Sequence, residues 1–297
     1  MKSGFIGLIG RPNVGKSSLV NAVIGHKVAI TSDKPQTTRN VIQGIRTDED
    51  SQMVFVDTPG IHKPKNKLGR ILNKEAYYSL EDVDVILFLV DITESLGKGD
   101  KFVIDVLKNA NVPVILVINK IDKVPREEIL KKIDEYKDLY NFDEIIPISA
   151  KKMDNVDRLI NVLKSKLTDN IKYYDEDMYT DKPVNFMVSE LIREKILDLT
   201  FEEVPHSVSV IVDAMEYSAN SVNIQATIVV DRENLKAILV GKNGSMIKEI
   251  GTRARMEIEP LLNKKVYLEL FVKVIPKWRD REKFLNEIGY EEYNFDK

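Results

Sequence analysis

The residues from Gly10 to Ser17 combine glycines, a lysine and a serine at a spacing that suits phosphate binding. They fit the pattern G-x-x-x-x-G-K-[ST]. They directly follow the apolar run Phe5 to Ile9, which predicts a buried strand. Glycines let the backbone curl so that N–H groups, and the N-terminus of the next helix, point at the phosphates of a nucleotide. Lys16 would add a positive charge at the β and γ phosphates, and Ser17 a hydroxyl ligand for Mg²⁺.

A second motif, Asp57 to Gly60, follows the apolar run 53–56 and reads Asp-Thr-Pro-Gly. A carboxylate at the carboxyl end of a parallel strand can reach the shell of a Mg²⁺ ion, and a glycine amide can face the γ-phosphate. This motif therefore predicts the metal and γ-phosphate side of a nucleotide site, with Ser17 and Asp57 as metal ligands.

Two later motifs predict the pocket for the base. Asp122 is the selective residue, because a carboxylate accepts from guanine N1–H and N2–H₂ together, whereas adenine presents an acceptor at N1. A mismatched base would leave this charge unpaired, so discrimination should be large. The Ala150 amide is placed to donate to guanine O6. The two motifs are Asn119-Lys120-Ile121-Asp122 after the run 114–118 and Ser149-Ala150-Lys151 after the run 145–148.

Strand-like apolar runs alternate with helical stretches over the first part of the chain. Several runs are apolar throughout, which suits strands covered on both faces and predicts an α/β domain with a mostly parallel, doubly wound sheet. The less hydrophobic run 41–47 is predicted to lie at one edge. The predicted nucleotide-binding residues are Gly10, Asn13, Val14, Gly15, Lys16, Ser17, Ser18, Asp57, Thr58, Pro59, Gly60, Asn119, Lys120, Asp122, Ser149, Ala150 and Lys151.

The chain changes character after the last of these strands. The segment 172–182 is polar and charged and precedes Pro183, which predicts a linker over 171–183 between two domains, 1–170 and 184–297. In the second domain helices and strands no longer alternate regularly, which predicts a smaller α+β arrangement. Its expected elements are a helix over 186–199, strands over 207–215 and 223–230, a turn over 241–244, a long helix and a strand over 266–274.

A glycine-bounded turn and a basic helix face predict RNA contacts in this second domain. The stretch 241–244 resembles the G-x-x-G loop of a KH domain, in which the backbone clamps about four nucleotides of a single strand. Over 232–283 there are thirteen Lys and Arg but seven Asp and Glu, which favours a polyanionic partner, although a turn and a solvated face are the alternative. The predicted RNA-binding residues are Gly241, Lys242, Asn243, Gly244, Lys248 and Arg255.

The long helix carries a predicted core face. Pro260 has no backbone N–H, and we expect it to end or kink this helix. Trp278 is expected to pack inside the domain rather than stack on a base. The apolar residues at three- and four-residue spacing are Ile247, Ile250, Ala254, Ile258 and Leu261.

The composition excludes several classes of protein. The chain has no cysteine, which excludes disulfides and thiolate metal sites and suits the cytoplasm. His26, His62 and His206 show no metal-ligand spacing. No window approaches 18 uninterrupted apolar residues, so a membrane-spanning helix is not expected.

In their order, the four nucleotide motifs resemble those of the translation-factor-related GTPases over residues 1 to about 170. The resemblance implies hydrolysis of GTP to GDP with Mg²⁺, and it assigns 36–39 to the first switch loop, with Thr38 as a Mg²⁺ ligand. Ile61 stands where Ras-like proteins carry the glutamine that orients the attacking water, so intrinsic hydrolysis should be slow. Asn13 matches an asparagine that helps some relatives hold K⁺, although a role in the loop turn is the alternative. The residues implied in catalysis are Lys16, Thr38, Gly60 and Asn13.

The second domain resembles the KH domain of the Era family of bacterial GTPases. The resemblance implies a type II KH domain, binding to 16S ribosomal RNA near its 3′ end, and a role in maturation of the small (30S) ribosomal subunit. The segments that carry it are Ile192-Arg193-Glu194-Lys195, Glu203-Val204-Pro205-His206-Ser207-Val208, Ala254-Arg255, Lys265-Val266-Tyr267-Leu268, Val272-Lys273-Val274, Trp278-Arg279 and Gly289-Tyr290.

The sequence also leads to expectations about the location of the protein in the cell, and two alternative functions are weighed. A cytoplasmic monomer is expected, with peripheral association at the inner face of the cell membrane. One alternative is a signalling GTPase whose second domain binds protein or a membrane surface rather than RNA. Another is a tRNA-modifying GTPase, which would need a folate or catalytic cysteine region, and the chain has no cysteine.

Overall fold

The computed structural model describes residues 1–34, 36–61 and 64–290. These residues form two compact units. The N-terminal unit takes in the described residues of 1–31, 38–63 and 72–181, and the C-terminal unit those of 32–37, 64–71 and 182–297. Two short stretches of the first half of the sequence, 32–37 and 64–71, thus belong to the C-terminal unit.

A six-stranded sheet organises the N-terminal unit. Its strand order is β2-β3-β1-β4-β5-β6, and every neighbouring pair is parallel except β2 and β3. The strands are β1 (Lys2–Gly10), β2 (Ile42–Thr47), β3 (Ser51–Asp57), β4 (Val85–Asp91), β5 (Val114–Asn119) and β6 (Glu144–Pro147). The helices over this part of the chain are α1 (Lys16–Ile24), α2 (Lys67–Tyr78), α3 (Lys98–Leu107), α4 (Arg126–Tyr136) and α5 (Val156–Lys166).

The central strands are covered on both faces, as their uninterrupted apolar sequences predict. Every residue of β4 is buried, and its successive side chains enter two different hydrophobic clusters. Leu87 and Leu89 pack into the cluster on one face, whereas Phe88 and Val90 pack into the cluster on the other. The mostly parallel sheet is therefore confirmed, and β2 lies at its edge as predicted.

The segment predicted to be a linker lies largely along the β2 edge of this sheet. The Ile45 amide donates to the Tyr179 carbonyl at 2.9 Å, and the Gln43 amide donates to Oδ1 of Asp181, also at 2.9 Å. The side-chain oxygen of Gln52 accepts the amides of residues 173 and 174 at 2.8 and 3.0 Å. Backbone groups that an edge strand would leave open are thereby paired, and the N-terminal unit extends to residue 181.

The C-terminal unit is built on a three-stranded sheet of order β7-β8-β9. Strands β7 and β8 are antiparallel with a bulge near Asp213, and β8 and β9 are parallel. This α+β arrangement confirms the predicted fold class of the second domain. Its elements are α6 (Val184–Leu199), β7 (Ser209–Tyr217), β8 (Ser221–Val230), α7 (Glu233–Val240), α8 (Ser245–Leu262), β9 (Lys265–Val274) and α9 (Glu282–Glu287).

Two expectations about the long helix α8 are corrected. The helix continues past Pro260 and ends at Leu262, because a proline in the last turn costs only one of the hydrogen bonds made there. Leu261 is 42% exposed rather than in the core, and Leu262 packs against the hydrophobic cluster instead. Trp278 is fully buried, and its Nε1 donates to the Ser207 carbonyl at 2.9 Å, which confirms a packing role.

None of the helices in the described part of the chain combines the length and the apolar character needed to cross a bilayer.

Candidate nucleotide site and RNA groove

The predicted phosphate loop lies between β1 and α1. Gly15 has a φ of 101°, and a Cβ there would stand 2.2 Å from Nδ2 of Asn119, so the position requires glycine. Asn13 also has a positive φ, of 65°, which asparagine tolerates better than most residues. The loop therefore curls tightly and leads into α1, whose N-terminus is a favourable place for phosphate oxygens.

Lys16 is held beneath this loop by its own backbone. Its ammonium donates to the carbonyls of Gly10 and Arg11, both at 3.3 Å. Burial lowers the pKa of Lys16, and the carboxylate of Asp57 acts in the opposite direction. A buried cation that donates to backbone carbonyls can exchange them for phosphate oxygens.

Three predicted metal ligands come together beside the loop. The Ser17 hydroxyl donates to Oδ2 of Asp57 at 2.6 Å and lies 2.8 Å from the Thr38 hydroxyl. Asp57 is fully buried, and burial raises its pKa to about 6, although Lys16 and Ser17 oppose the rise. Its second oxygen, Oδ1, has no hydrogen-bond partner among the described residues. Oxygen ligands with one buried oxygen left open suit a Mg²⁺ ion.

The rest of the second motif supports the loop. The Thr58 hydroxyl donates to the Leu8 carbonyl at 2.7 Å, so this side chain braces β1. A Cβ on Gly60 would come within 2.9 Å of the Pro12 backbone, which shows how closely the two loops approach. Pro59, which lies between Thr58 and Gly60 in the sequence, is also buried.

Ile61 points away from water. It is 5% exposed and belongs to the hydrophobic cluster that includes Ile9, Val56 and Phe88. A buried hydrocarbon side chain cannot orient an attacking water, which agrees with the expectation of slow intrinsic hydrolysis.

Asn119 connects the phosphate loop to the last of the four motifs. Its Nδ2 donates to the Val14 carbonyl at 2.9 Å, and its Oδ1 accepts the Ala150 amide at 3.1 Å. The Ala150 amide was expected to meet guanine O6, and that role stays a prediction. Asn119 itself acts as a brace between loops that follow β1, β5 and β6.

Lys120 contacts Asp91, a residue that was not predicted to belong to the site. Its ammonium donates to the Asn13 carbonyl at 2.7 Å and to Oδ2 of Asp91 at 2.6 Å. Although burial opposes the change, the hydrogen bond from Lys120 helps hold the pKa of Asp91 below its ordinary value. Asp91 could have been predicted to belong to the site, because it ends β4 just as the neighbouring motifs end their strands.

Asp122 and Ser149 meet at the predicted base pocket. The Ser149 hydroxyl donates to Oδ1 of Asp122 at 2.6 Å, which orients the carboxylate. Lys151 is exposed beyond this pair, and Ser18 lies half-buried in the first turn of α1. The structure therefore gathers the residues of all four motifs at the carboxyl edge of the sheet.

The second predicted site has two parts, which are the turn between α7 and α8 and a groove between α8 and β9 that the turn residues do not line. Gly241, Asn243 and Gly244 have φ values of 71°, 51° and 75°, so the turn depends on left-handed backbone. Lys248 and Arg255 are both exposed on α8. The groove is about 430 Å³ and is lined by Ile247, Lys248, Gly251, Thr252 and Arg255 of α8 and by Leu268 and Leu270 of β9.

The prediction that Ile247 lies in the core is wrong, because this residue lines the groove. Ile250, Ala254 and Ile258 are fully buried, as predicted. The groove is thus apolar at its floor and basic along α8, which suits bases inside and phosphates at the rim.

These features define a P-loop GTPase domain followed by a KH domain. Family models agree, since the model described as a 50S ribosome-binding GTPase matches residues 5–120 and the KH domain model matches residues 203–279. The chain is similar to the crystal structure of Era in complex with MgGDPNP and nucleotides 1506–1542 of 16S ribosomal RNA. The TM-score is 0.95 with 44% identity, over 98% of this chain and 100% of that one. The chain belongs to the Era family and is a GTPase.

A second solved structure gives the same result. It is an Era variant from Aquifex aeolicus bound to GDP·AlF₄⁻, with a TM-score of 0.93 and 43% identity. The match covers 98% of this chain and 100% of that chain.

Proposed function

We propose that this chain is a GTP-hydrolysing switch whose KH domain binds 16S ribosomal RNA near its 3′ end and assists assembly of the small ribosomal subunit. The similar Era structure was solved with nucleotides 1506–1542 of that RNA. The observation in this chain that carries the proposal is the groove between α8 and β9, where Lys248 and Arg255 lie among the apolar side chains of Ile247, Leu268 and Leu270.

The chain's own groups account for phosphate binding. Backbone N–H groups of the loop and the N-terminus of α1 would bind the phosphates of GTP. Lys16 would exchange the carbonyls of Gly10 and Arg11 for phosphate oxygens, and it would place positive charge where the transition state develops negative charge. A Cβ at Gly60 would stand 2.9 Å from the Pro12 backbone, so this residue approaches the loop closely, and its amide would serve the γ-phosphate.

The oxygens of Ser17, Thr38 and Asp57 fit a Mg²⁺ ion, since the buried Oδ1 of Asp57 is left without a partner. When bound, the ion neutralises charge on the β and γ phosphates. Asp57 would bind as a carboxylate, and the hydroxyl of Ser17 would turn from donating to Asp57 to offering a lone pair.

Potassium is part of the proposal. The buried Ile61 leaves the attacking water without a side-chain partner at that position, and Asn13 lies in the phosphate loop. We infer that Asn13 helps hold K⁺ at the phosphates, which would supply the missing positive charge. Peripheral membrane association and a monomeric state stay predictions of the sequence.

The RNA part of the proposal is tested by the salt dependence of binding to a short single-stranded RNA from the 3′ end of 16S ribosomal RNA. Lys248→Gln should lower the slope of log affinity against log salt by roughly 0.7, the value for one phosphate contact on a single strand. Lys273→Gln is the matched control, because Lys273 is exposed on the opposite side of β9 from Leu268 and Leu270. Equal slopes for the two variants would contradict the groove assignment.

A further inference from the structure

The buried ion pair of α6 is a feature that nucleotide and RNA binding do not explain. Arg193 is 2% exposed and Glu190 is 7% exposed. The Arg193 Nε donates to one Glu190 carboxylate oxygen at 2.7 Å, and Nη2 donates to the other at 2.6 Å. Burial would lower the pKa of Arg193, but Glu190 more than compensates, so the pKa is raised. A two-pronged pair of this kind fixes the guanidinium plane.

The same guanidinium reaches the first switch segment. Its Nη2 also donates to the backbone carbonyl of Thr37, and all of these groups lie within the C-terminal unit. Thr37 is 8% exposed, and its hydroxyl donates to the Lys34 carbonyl at 2.7 Å. The Lys34 ammonium lies 4.3 Å from the ring centre of Phe201. Several contacts therefore hold the segment that ends at Thr37.

The next residue along the chain is the predicted metal ligand. The Thr38 hydroxyl lies 2.8 Å from the Ser17 hydroxyl. A peptide group is planar, so the carbonyl of Thr37 and the N and Cα atoms of Thr38 lie in one plane. Fixing the Thr37 carbonyl therefore restricts the position of the Thr38 Cα atom, to which the side chain is attached.

We propose that Arg193, oriented by Glu190, is a positioning residue for GTP hydrolysis, because it holds the peptide between Thr37 and Thr38 and so keeps the Thr38 hydroxyl beside Ser17 and Asp57. The inference rests on the GTPase function and not on RNA binding. Thr38 serves the γ-phosphate side of the site. The contribution of Arg193 therefore belongs to the GTP state and not to the GDP state.

The test compares Arg193→Gln with Lys195→Gln in the full chain. Lys195 is a matched control because it lies on the same helix, is 7% exposed, and pairs with Glu194 and Glu257 rather than with the switch segment. Arg193→Gln should lower kcat for GTP by about tenfold, the loss expected for one charge-assisted hydrogen bond. It should also raise the Mg²⁺ concentration needed for half-maximal hydrolysis. GDP affinity should match that of the parent protein.

Two further variants keep the inference falsifiable. Arg193→Lys retains a charged donor and should recover part of the lost kcat. If Arg193→Gln does not fold by circular dichroism, Glu190→Gln replaces it, since losing the carboxylate frees the guanidinium and should lower kcat in the same direction.

The outcomes separate a positioning role from a structural one. Equal losses of GTP hydrolysis and GDP binding, or equal kcat values for Arg193→Gln and Lys195→Gln, would overturn the inference. RNA binding by the GDP-loaded Arg193→Gln protein is measured in parallel and should be unchanged. A parent protein that binds no RNA would contradict the proposed function and leave the comparison of hydrolysis rates valid.

Discussion

At the scale of single residues, Asp122 is the residue predicted to select the base. Its carboxylate is oriented by Ser149 at 2.6 Å and can accept two hydrogen bonds from guanine. Asn119 lies on the same short stretch of chain, but its side chain is already used to connect two loops. One residue of this motif thus braces two loops, while another is predicted to select the base.

The first prediction is that Asp122→Asn exchanges guanine for xanthine preference. The amide of the new side chain can donate to the O2 atom that replaces guanine's amino group. Loss of a charged, two-point contact should weaken GTP binding by at least about 2 kcal/mol, measured by titration calorimetry. Asp157→Asn, at an exposed position in α5, is the control. Unchanged GTP affinity in the Asp122 variant would remove that residue from the base pocket.

The second prediction concerns Asn13 and K⁺. Hydrolysis should be faster in KCl than in NaCl at equal ionic strength, because a bound K⁺ would supply charge that Ile61 cannot. Asn13→Ala should abolish the difference. Asn13→Gly removes the same amide but tolerates the φ of 65°, so it separates the cation effect from backbone strain. A parent protein without cation preference would return Asn13 to a role in the turn.

Residue types and spacing predicted the nucleotide motifs because each motif is local in sequence. The meeting of the Ser17 and Asp57 oxygens could be foreseen from the phosphate-loop pattern for Ser17 and from a strand end for Asp57. The contacts of Asp91 and Arg193 could not, since each depends on residues far away in the chain. Ile247 was misplaced because helical spacing shows that a face is apolar and not whether that face lines a core or a groove.

At the scale of elements, the edge of the N-terminal sheet depends on Gln52. Its side chain is fully buried and accepts two backbone amides from the segment 173–174. It also donates to the Tyr174 carbonyl at 2.9 Å. This side chain thus makes three of the hydrogen bonds that attach the segment, beside those of the Ile45 and Gln43 amides.

The third prediction is that Gln52→Ala destabilises the N-terminal unit alone. Leaving buried backbone groups unpaired should lower its free energy of unfolding by roughly 2 kcal/mol. Trp278 is the only tryptophan and lies in the C-terminal unit, so its fluorescence reports the unfolding of that unit. In urea, circular dichroism should show an earlier first transition while the fluorescence midpoint stays in place. A shift of both midpoints would contradict the prediction that Gln52 stabilises the N-terminal unit alone.

The fourth prediction concerns the turn of the KH domain. Gly244→Asp should abolish RNA binding, because a side chain and a negative charge would stand where the backbone approaches phosphates. Gly244 has a φ of 75° and a Cβ there would meet nothing within 4 Å, so steric clash is not the cause.

Gly289→Asp is a matched control for this prediction. Gly289 has a φ of 88° and equal open space, but it lies outside the turn 241–244. Both variants should lose similar stability in a thermal melt, and only Gly244→Asp should lose RNA binding by fluorescence anisotropy. If the two bind RNA alike, the turn does not contact it.

Most elements could be predicted from periodicity, whereas their ends could not. Strand β1 begins at Lys2 rather than Phe5, because pairing with β3 extends it beyond its apolar run. Helix α8 passes Pro260 by two residues, because a proline in the last turn costs only one hydrogen bond and because Ile258 packs in the hydrophobic cluster and Leu262 against it.

At the scale of the whole molecule, sequence order predicted a GTPase domain followed by a KH domain. It did not predict that residues 32–37 and 64–71 belong to the C-terminal unit. That membership depends on tertiary contacts such as those of Arg193 with Thr37 and of Asp280 with the Lys67 amide. Both stretches lie close in sequence to the predicted nucleotide motifs.

The most direct test of the central claim is crosslinking in cells followed by sequencing of the bound RNA. Reads normalised to total RNA should concentrate near the 3′ end of 16S ribosomal RNA. This enrichment should disappear for Gly244→Asp and persist for Gly289→Asp. Reads that merely follow RNA abundance, or the same enrichment in both variants, would contradict a GTPase that acts through its KH groove on ribosomal RNA.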